Sequence, residues 1–152
     1  MTSVKAGASL APLPEWVDRH AAVLVGRLME EIRLAFDGED WGGLRQSHFR
    51  LLAQVPPDGI SVTDLAATLR MTKQAAGQFV THLEGTGHLT TRTDPADRRV
   101  RLVVRTPLGD RTSKAVTTRI RRVERVWARR VGTERYAEFR AVLEDLVATR
   151  SR

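Results

Sequence analysis

The sequence predicts a mostly α-helical fold with one small β-hairpin, and three observations lead to this prediction. Apolar residues recur at intervals of three and four over most of the chain, which is typical of helices that bury one face. Between His88 and Arg105 the pattern changes to alternation, which is typical of strands. Glycine and proline separate these segments. With 152 residues, the chain is long enough for one domain, or for a small domain with an oligomerisation element.

Composition restricts the classes of function. The formal net charge is +7, which favours a polyanionic partner, although a merely soluble basic protein is the alternative. The chain has no cysteine, which excludes disulfides, thiol nucleophiles and thiolate metal sites. No apolar run is long enough to span a membrane, and the N-terminal residues lack a signal-peptide pattern, so we expect a cytoplasmic protein with no membrane partner.

The N-terminal part of the chain predicts one long helix. Residues 1–12 are small and polar, and we expect them to be disordered. A helix is predicted over about 15–36, entered through Pro12 and Pro14. It is longer than a single small core requires, which suggests packing against another subunit, and a helix lying across its own domain is an equal alternative.

The middle of the chain predicts three shorter helices. The first covers about 45–55 and ends at Pro56-Pro57-Asp58-Gly59, and a very short strand is expected at Ile60. Ser61 and Asp64 have the spacing of a capping box that begins the second. Thr72 is positioned as the N-cap of the third. The third helix has an apolar face, and its opposite face carries amides, hydroxyls and one cation; the residues on that face are Lys73, Gln74, Gly77, Gln78 and Thr81.

A basic hairpin follows these helices. Residues 92–105 contain five arginines and two aspartates, and Asp94-Pro95-Ala96-Asp97-Arg98 forms the predicted turn. Glutamines on a helix can pair with adenine in a major groove, and an arginine at the tip of a thin projection suits a minor groove. A solvated helix face and a charged edge that prevents aggregation are the alternatives for each element alone.

Two helices are predicted after the hairpin. Thr106-Pro107 begins the first, which runs to about Val131 and carries eight Lys or Arg against one acid between positions 111 and 130. The second covers about 134–150, and its pattern predicts six buried residues: Tyr136, Phe139, Val142, Leu143, Leu146 and Val147.

These motifs together resemble a known family. The segments Ser61-Val62-Thr63-Asp64-Leu65-Ala66, Met71-Thr72-Lys73-Gln74-Ala75 and Leu83-Glu84-Gly85-Thr86-Gly87-His88-Leu89, followed by Asp94-Pro95-Ala96-Asp97-Arg98-Arg99 and Thr106-Pro107-Leu108-Gly109, resemble the MarR family of winged helix-turn-helix regulators. The resemblance covers about 44–109 by motif. The Asp-Pro-x-Asp-Arg-Arg run followed by Thr-Pro-x-Gly is its most specific part.

The resemblance implies a fold and a function. It implies a disordered segment (1–12), an N-terminal dimerisation helix and loop (13–43), a winged helix-turn-helix domain (44–106) and C-terminal dimerisation helices (107–152). Its implied partners are double-stranded DNA, a second copy of the chain and a small effector, which is often aromatic and releases the protein from a pseudo-palindromic operator. By position, the resemblance places Arg98 at the wing tip and the following residues on the recognition helix: Thr72, Lys73, Gln74, Gly77, Gln78 and Thr81. The basic hairpin adds Arg92, Arg99 and Arg101 as DNA-binding candidates, and Arg99 is assigned a positioning role first.

Three residues depart from the family pattern. Arg70 stands where glycine is usual, Gln78 where arginine is frequent, and Arg45 where a serine or threonine cap is usual. Either the turn is altered at this position or Arg70 accepts a positive φ at a cost in free energy. Asp97 and Arg99 match a family pair that braces the wing.

Other sites receive weaker support from the sequence. The effector site would lie where the first two helices meet the winged lobe, with His20, Arg27, Trp41 and His48 as candidates, although ordinary packing is the commoner role of such residues. The four histidines are too scattered for a metal site, and no phosphate loop or catalytic motif appears, so we expect neither a cofactor nor an enzyme. An architectural DNA-coating protein is the main alternative, and a dimer that has lost DNA binding is a weaker one.

Overall fold

The computed structural model describes residues 10–37 and 39–148. The predicted fold class is confirmed, because helices dominate and the strands form one small sheet. The elements, in chain order, are α1 (Ala21–Leu34), α2 (Gln46–Ala53), β1 (Ile60–Ser61), α3 (Val62–Leu69), α4 (Lys73–Gly85), β2 (Leu89–Thr93), β3 (Arg101–Arg105), α5 (Pro107–Val131) and α6 (Thr133–Ala148).

The chain divides into two compact units. The central unit is Gly38–Thr117, and the terminal unit combines Met1–Asp37 with Thr118–Arg152. The disordered segment predicted over 1–12 falls mainly on residues outside the described part. None of the described helices is both long and apolar enough to cross a membrane.

The central unit is built around a three-stranded antiparallel sheet in the order β1-β3-β2. The very short strand predicted at Ile60 is confirmed. Val103 of β3 pairs with Ile60 of β1 on one side and with Thr91 of β2 on the other. Helices α2, α3 and α4 cover this sheet with leucine and valine side chains. The largest of the fully buried side chains belong to Leu51, Leu52, Val55, Leu65, Leu83 and Val103.

Side-chain caps fix the two central helices where the sequence predicts them. The Ser61 hydroxyl accepts a hydrogen bond from the Asp64 N–H at 3.1 Å, and the Thr72 hydroxyl accepts one from the Ala75 N–H at 3.1 Å. Each cap satisfies a backbone donor at a helix start that has no partner within the helix. Both predicted caps are therefore confirmed.

Gly109 in the first turn of α5 marks a close contact between α5 and the start of β2. The Thr106 hydroxyl donates to the Gly87 carbonyl at 2.6 Å and accepts from the Gly109 N–H at 3.1 Å, as its predicted role as a cap requires. A Cβ at Gly109 would lie 2.1 Å from the His88 carbonyl oxygen. Only glycine allows this approach, which joins the hairpin to the helix that follows it.

The terminal unit is held together by α1, the second half of α5, and α6. Trp127 is buried, and its indole N–H donates to the Glu31 carboxylate at 2.7 Å. Arg130 forms an ion pair with the same carboxylate at 3.2 Å. A cavity of about 280 Å³ lies between these elements and is lined by Leu28, Trp127, Arg130, Val131, Arg135, Tyr136 and Phe139.

Two predictions for the terminal unit were wrong. The first helix begins at Ala21, not near residue 15, because the chain forms a turn in which the Val17 N–H donates to the Pro14 carbonyl. The prediction that α6 buries six apolar residues also fails within one chain. Tyr136 and Phe139 are half-buried, but the four residues that follow remain exposed, at 55% for Val142, 37% for Leu143, 64% for Leu146 and 72% for Val147.

Candidate nucleic-acid interface

Helix α4 separates its residues into an inner and an outer face. Ala76, Val80 and Leu83 are buried against the core of the central unit. The opposite face exposes one ammonium group, two amides and two hydroxyls, which belong to Thr72, Lys73, Gln74, Gln78 and Thr81. Among these, within the part of the chain that the structure describes, only Thr72 uses its side chain in a hydrogen bond, as the N-cap. The other four polar groups are available to an external partner.

Gly77 lies in the middle of this outer face. A Cβ added there would meet nothing within 4 Å, so packing inside the chain does not require glycine. Glycine in a helix interior costs about 1 kcal/mol relative to alanine. A glycine with this cost and no internal function suits a helix that must lie close to an outside surface, such as the wall of a DNA groove.

The turn of the hairpin is organised by two aspartates. The Asp94 carboxylate accepts from the Ala96 N–H at 2.8 Å, and the Asp97 carboxylate accepts from the Arg99 N–H at 2.9 Å. Asp97 therefore contacts the backbone N–H of Arg99 and not its guanidinium group. Arg98 and Arg99 are exposed beside the tip, and their guanidinium groups form no hydrogen bond or ion pair to the described residues.

The remaining hairpin arginines differ in what they contact. The guanidinium of Arg92 donates to the Asp58 carbonyl at 2.8 Å, which attaches the loop before β1 to β2. Arg101 is exposed at the start of β3. Sequence reasoning missed Arg105, which pairs with Asp110 at 2.8 Å and donates to the Leu52 carbonyl at 3.3 Å. No local signal distinguishes Arg105 from its neighbours, because Leu52 is far away in sequence.

His48 of α2 contacts His82 of α4, and His88 follows the end of α4. The rings of His48 and His82 stack with centroids 4.5 Å apart, and Phe79 contacts His48 edge-on at 5.5 Å. The Arg45 N–H donates to His48 Nδ1 at 2.8 Å. Burial first, then the charges of His82 and Arg45, lower the pKa of His48 below 6.5. Burial also lowers the pKa of His88, assisted by His82 and opposed by a hydrogen bond with Thr86.

The four candidates for an effector site fall in different units. His20 is exposed and lies just before α1, and the guanidinium of half-buried Arg27 donates to the Ala11 carbonyl. In the central unit, Trp41 packs edge-on against Phe49 at 5.2 Å, and His48 stacks on His82. Within the described residues, no three histidine, aspartate or glutamate side chains are grouped so that they could hold a metal ion.

A sequence model described as the MarR family matches residues 43–100, which contain α2, α3, α4 and the hairpin. Over these residues the chain is similar to the MarR family. No curated protein matches the chain in sequence. The capped α4 and the hairpin both lie within the matched residues.

Solved structures extend the fold likeness beyond the matched residues. MarR itself is 19% identical with a TM-score of 0.70, over 84% of this chain and 95% of that one. The S. aureus MepR–DNA complex is 17% identical with a TM-score of 0.67, over 87% and 99%. CouR from Rhodococcus jostii, bound to p-coumaroyl-CoA, is 20% identical with a TM-score of 0.63, over 82% and 87%. At these identities the likeness establishes the MarR fold for most of the chain.

Proposed function

We propose that this protein is a homodimeric, sequence-specific DNA-binding repressor that acts in the cytoplasm. The observation that carries the proposal is the outer face of α4, where Gln74, Gln78 and Thr81 are exposed around a glycine. Glutamine amides can each make two hydrogen bonds to an adenine in the major groove. Lys73 and the N–H groups at the capped start of α4 would hold a phosphate. The other predicted contacts, from Arg92, Arg98, Arg99 and Arg101, would come from the wing.

The dimer is supported by the apolar surface of the terminal unit. Helix α1 exposes Leu24 at 41%, Val25 at 43% and Met29 at 57%, and α6 exposes four more apolar residues. Where exposed apolar residues form a patch, another protein surface normally covers it. A second copy of the chain would cover it and give two α4 helices related by a twofold axis. The two α4 helices would bind half-sites whose centres lie about 34–36 Å apart.

Release by a small effector is part of the same proposal. CouR, which shares the fold, is bound to p-coumaroyl-CoA. We expect this chain to bind a small, partly aromatic ligand, and the candidate residues are His20 and Arg27 in the terminal unit and Trp41 and His48 in the central unit. Ligand binding would favour a dimer whose α4 helices do not fit neighbouring major grooves.

Selection of bound duplexes from a random pool, followed by footprinting on the selected sequence, tests this function. We expect a pseudo-palindromic sequence and a discrete protected region. Affinity should fall steeply as salt increases, because phosphate contacts release counterions. A pool that shows no enrichment after repeated rounds, although the protein is folded and dimeric, would contradict sequence-specific binding.

A second function is favoured by α5. Five of its arginines are exposed and form no ion pair within the described chain: Arg111, Arg121, Arg122, Arg125 and Arg129. Such a surface suits a protein that coats DNA without a specific operator. Continuous protection along genomic fragments in the footprint would support coating, and discrete palindromes would exclude it.

A further inference from the structure

The turn between α3 and α4 contains a strained arginine. Arg70 has φ 53° and ψ 48°, the left-handed conformation, and no other residue except glycine has a positive φ in the described chain. The turn requires this conformation, because the Met71 N–H donates to the Ala66 carbonyl at 3.0 Å and the Arg70 N–H to the Ala67 carbonyl at 3.1 Å. This is the Schellman pattern, in which glycine is the usual residue. Arginine at this position is costly for the fold.

No contact within the described chain compensates for that cost. The Arg70 side chain is exposed and forms no hydrogen bond, ion pair or ring contact to the residues described. Arg92 and Arg105 behave differently, since each of their guanidinium groups binds a backbone carbonyl. A strained residue whose charged group has no internal partner suggests a function outside the chain.

The position of Arg70 indicates what that partner is. Arg70 precedes by two residues the cap of α4, Thr72, and by three the exposed Lys73. The nearest acid in sequence, Asp64, accepts a hydrogen bond from the Ser61 hydroxyl at 2.6 Å and lies at the far end of α3. The turn is therefore positively charged. A guanidinium group also presents paired N–H donors that match the oxygen atoms of a phosphate.

We propose that Arg70 binds a DNA backbone phosphate beside the start of α4 and so fixes how α4 enters the groove. The inference rests on the proposed DNA-binding function and adds a contact to it. Such a contact carries no sequence information, so it should contribute equally on any duplex. In the free protein Arg70 remains strained. In the complex, the bond between its guanidinium group and a DNA phosphate would offset this cost.

Three variants of the full chain separate this function from a structural one. Arg70→Gly removes the guanidinium and the strain, and Arg70→Gln removes the guanidinium but keeps the strain. Arg50→Gln removes an equal charge from an exposed residue of α2 and is the control. Binding to a mixed-sequence duplex is measured by fluorescence anisotropy at several salt concentrations, and thermal unfolding is measured without DNA.

Both Arg70 variants should lose affinity by about fivefold or more, and the slope of log affinity against log salt should fall by about 0.9 for each lost contact. Arg70→Gly should nevertheless raise the unfolding midpoint, whereas Arg70→Gln should leave it near that of the wild type. Arg50→Gln should match the wild type in affinity and slope.

Two results would overturn the inference alone while wild-type binding stays intact. One is an Arg70→Gln variant that binds like Arg50→Gln, and the other is an Arg70→Gly variant that binds more tightly than the wild type. A wild-type protein with no measurable affinity for duplex DNA would overturn the proposed function, and this inference with it.

Discussion

The two units of the chain differ in how they cover their apolar residues. In the central unit, the core leucines and valines of α2, α3, α4 and the sheet are buried by one another. In the terminal unit, Trp127 is buried, but α1 and α6 leave seven large apolar residues exposed by 37% or more: Leu24, Val25, Met29, Val142, Leu143, Leu146 and Val147. The difference teaches that one chain covers the core of the central unit, whereas it leaves apolar side chains of the terminal unit exposed, as the proposed dimer requires.

The largest expected effect tests how completely the central unit is packed. Gly109→Ala should destabilise it by about 3 kcal/mol or more, because the new Cβ would lie 2.1 Å from the His88 carbonyl oxygen and backbone would have to move. Urea unfolding followed by circular dichroism measures this loss.

Gly77→Ala is the matched control, since its Cβ meets nothing within 4 Å. It should stabilise the fold by about 0.5–1 kcal/mol. Equal losses in both variants would contradict a tight contact at Gly109.

The next effect tests whether the terminal unit is completed by a second chain. Leu146→Asp should raise the dimer dissociation constant by about 100-fold, because a buried apolar contact would be replaced by an unpaired charge. Sedimentation velocity over a range of concentrations measures the change. Ala141→Asp adds the same charge to an exposed residue on the opposite side of α6 and should leave the dimer intact. If both variants dimerise like the wild type, this face of α6 is not the interface.

A third effect distinguishes the outer face of α4 from the wing. Gln74→Ala or Gln78→Ala should relax preference at one or two base positions by about 1–3 kcal/mol, because an amide that pairs with a base edge is lost. Arg98→Gln should weaken binding on all sequences more evenly, except beside A·T-rich flanks where a narrow minor groove attracts arginine. Affinities for a set of single-base variants of the selected operator provide the comparison. A uniform loss for the glutamine variants would exclude direct base contacts by these side chains.

The parts of the fold that the sequence could predict are those whose interacting residues lie close together in the sequence. Ser61, Thr72 and Thr106 each cap a helix through an N–H three residues away, so the cap and its partner lie in one short segment. The alternation on both sides of the Asp94–Arg98 turn predicts the hairpin for the same reason. The Arg70 strain was also predictable, because the turn needs a positive φ and the residue is not glycine.

The missed features depend on distant partners. The apolar period of α6 predicts a covered face but does not state which chain covers it, and within one chain four of the six predicted residues are exposed. Arg92 and Asp58 are 34 residues apart, as are His48 and His82. Only the folded central unit brings these groups together. In the sequence, Gly109 is only a residue of low helix propensity. The close approach of the His88 carbonyl oxygen, which requires glycine there, is visible only in the folded unit.

The smallest expected effect concerns the histidines of the central unit. His48 and His88 have pKa values lowered by burial, so the folded unit binds fewer protons than the unfolded chain near pH 6. The stability they provide is present above the unfolded pKa of about 6.5 and is lost as the pH falls through the lowered folded values. Protonation of His48 at Nδ1 would also replace an acceptor that faces the Arg45 N–H with a second donor.

Urea midpoints at several pH values between neutral and mildly acidic measure this effect. His82→Gln removes the imidazole that lowers both pKa values, so its midpoint should fall less steeply with acid than that of the wild type. His20→Gln makes the same substitution at an exposed histidine of the terminal unit, outside the His48–His82 pair, and is the control. A wild-type midpoint that rises on acidification through this range would show that the histidines gain protons on folding. It would contradict burial as the dominant influence on them, because burial alone disfavours the charged imidazolium.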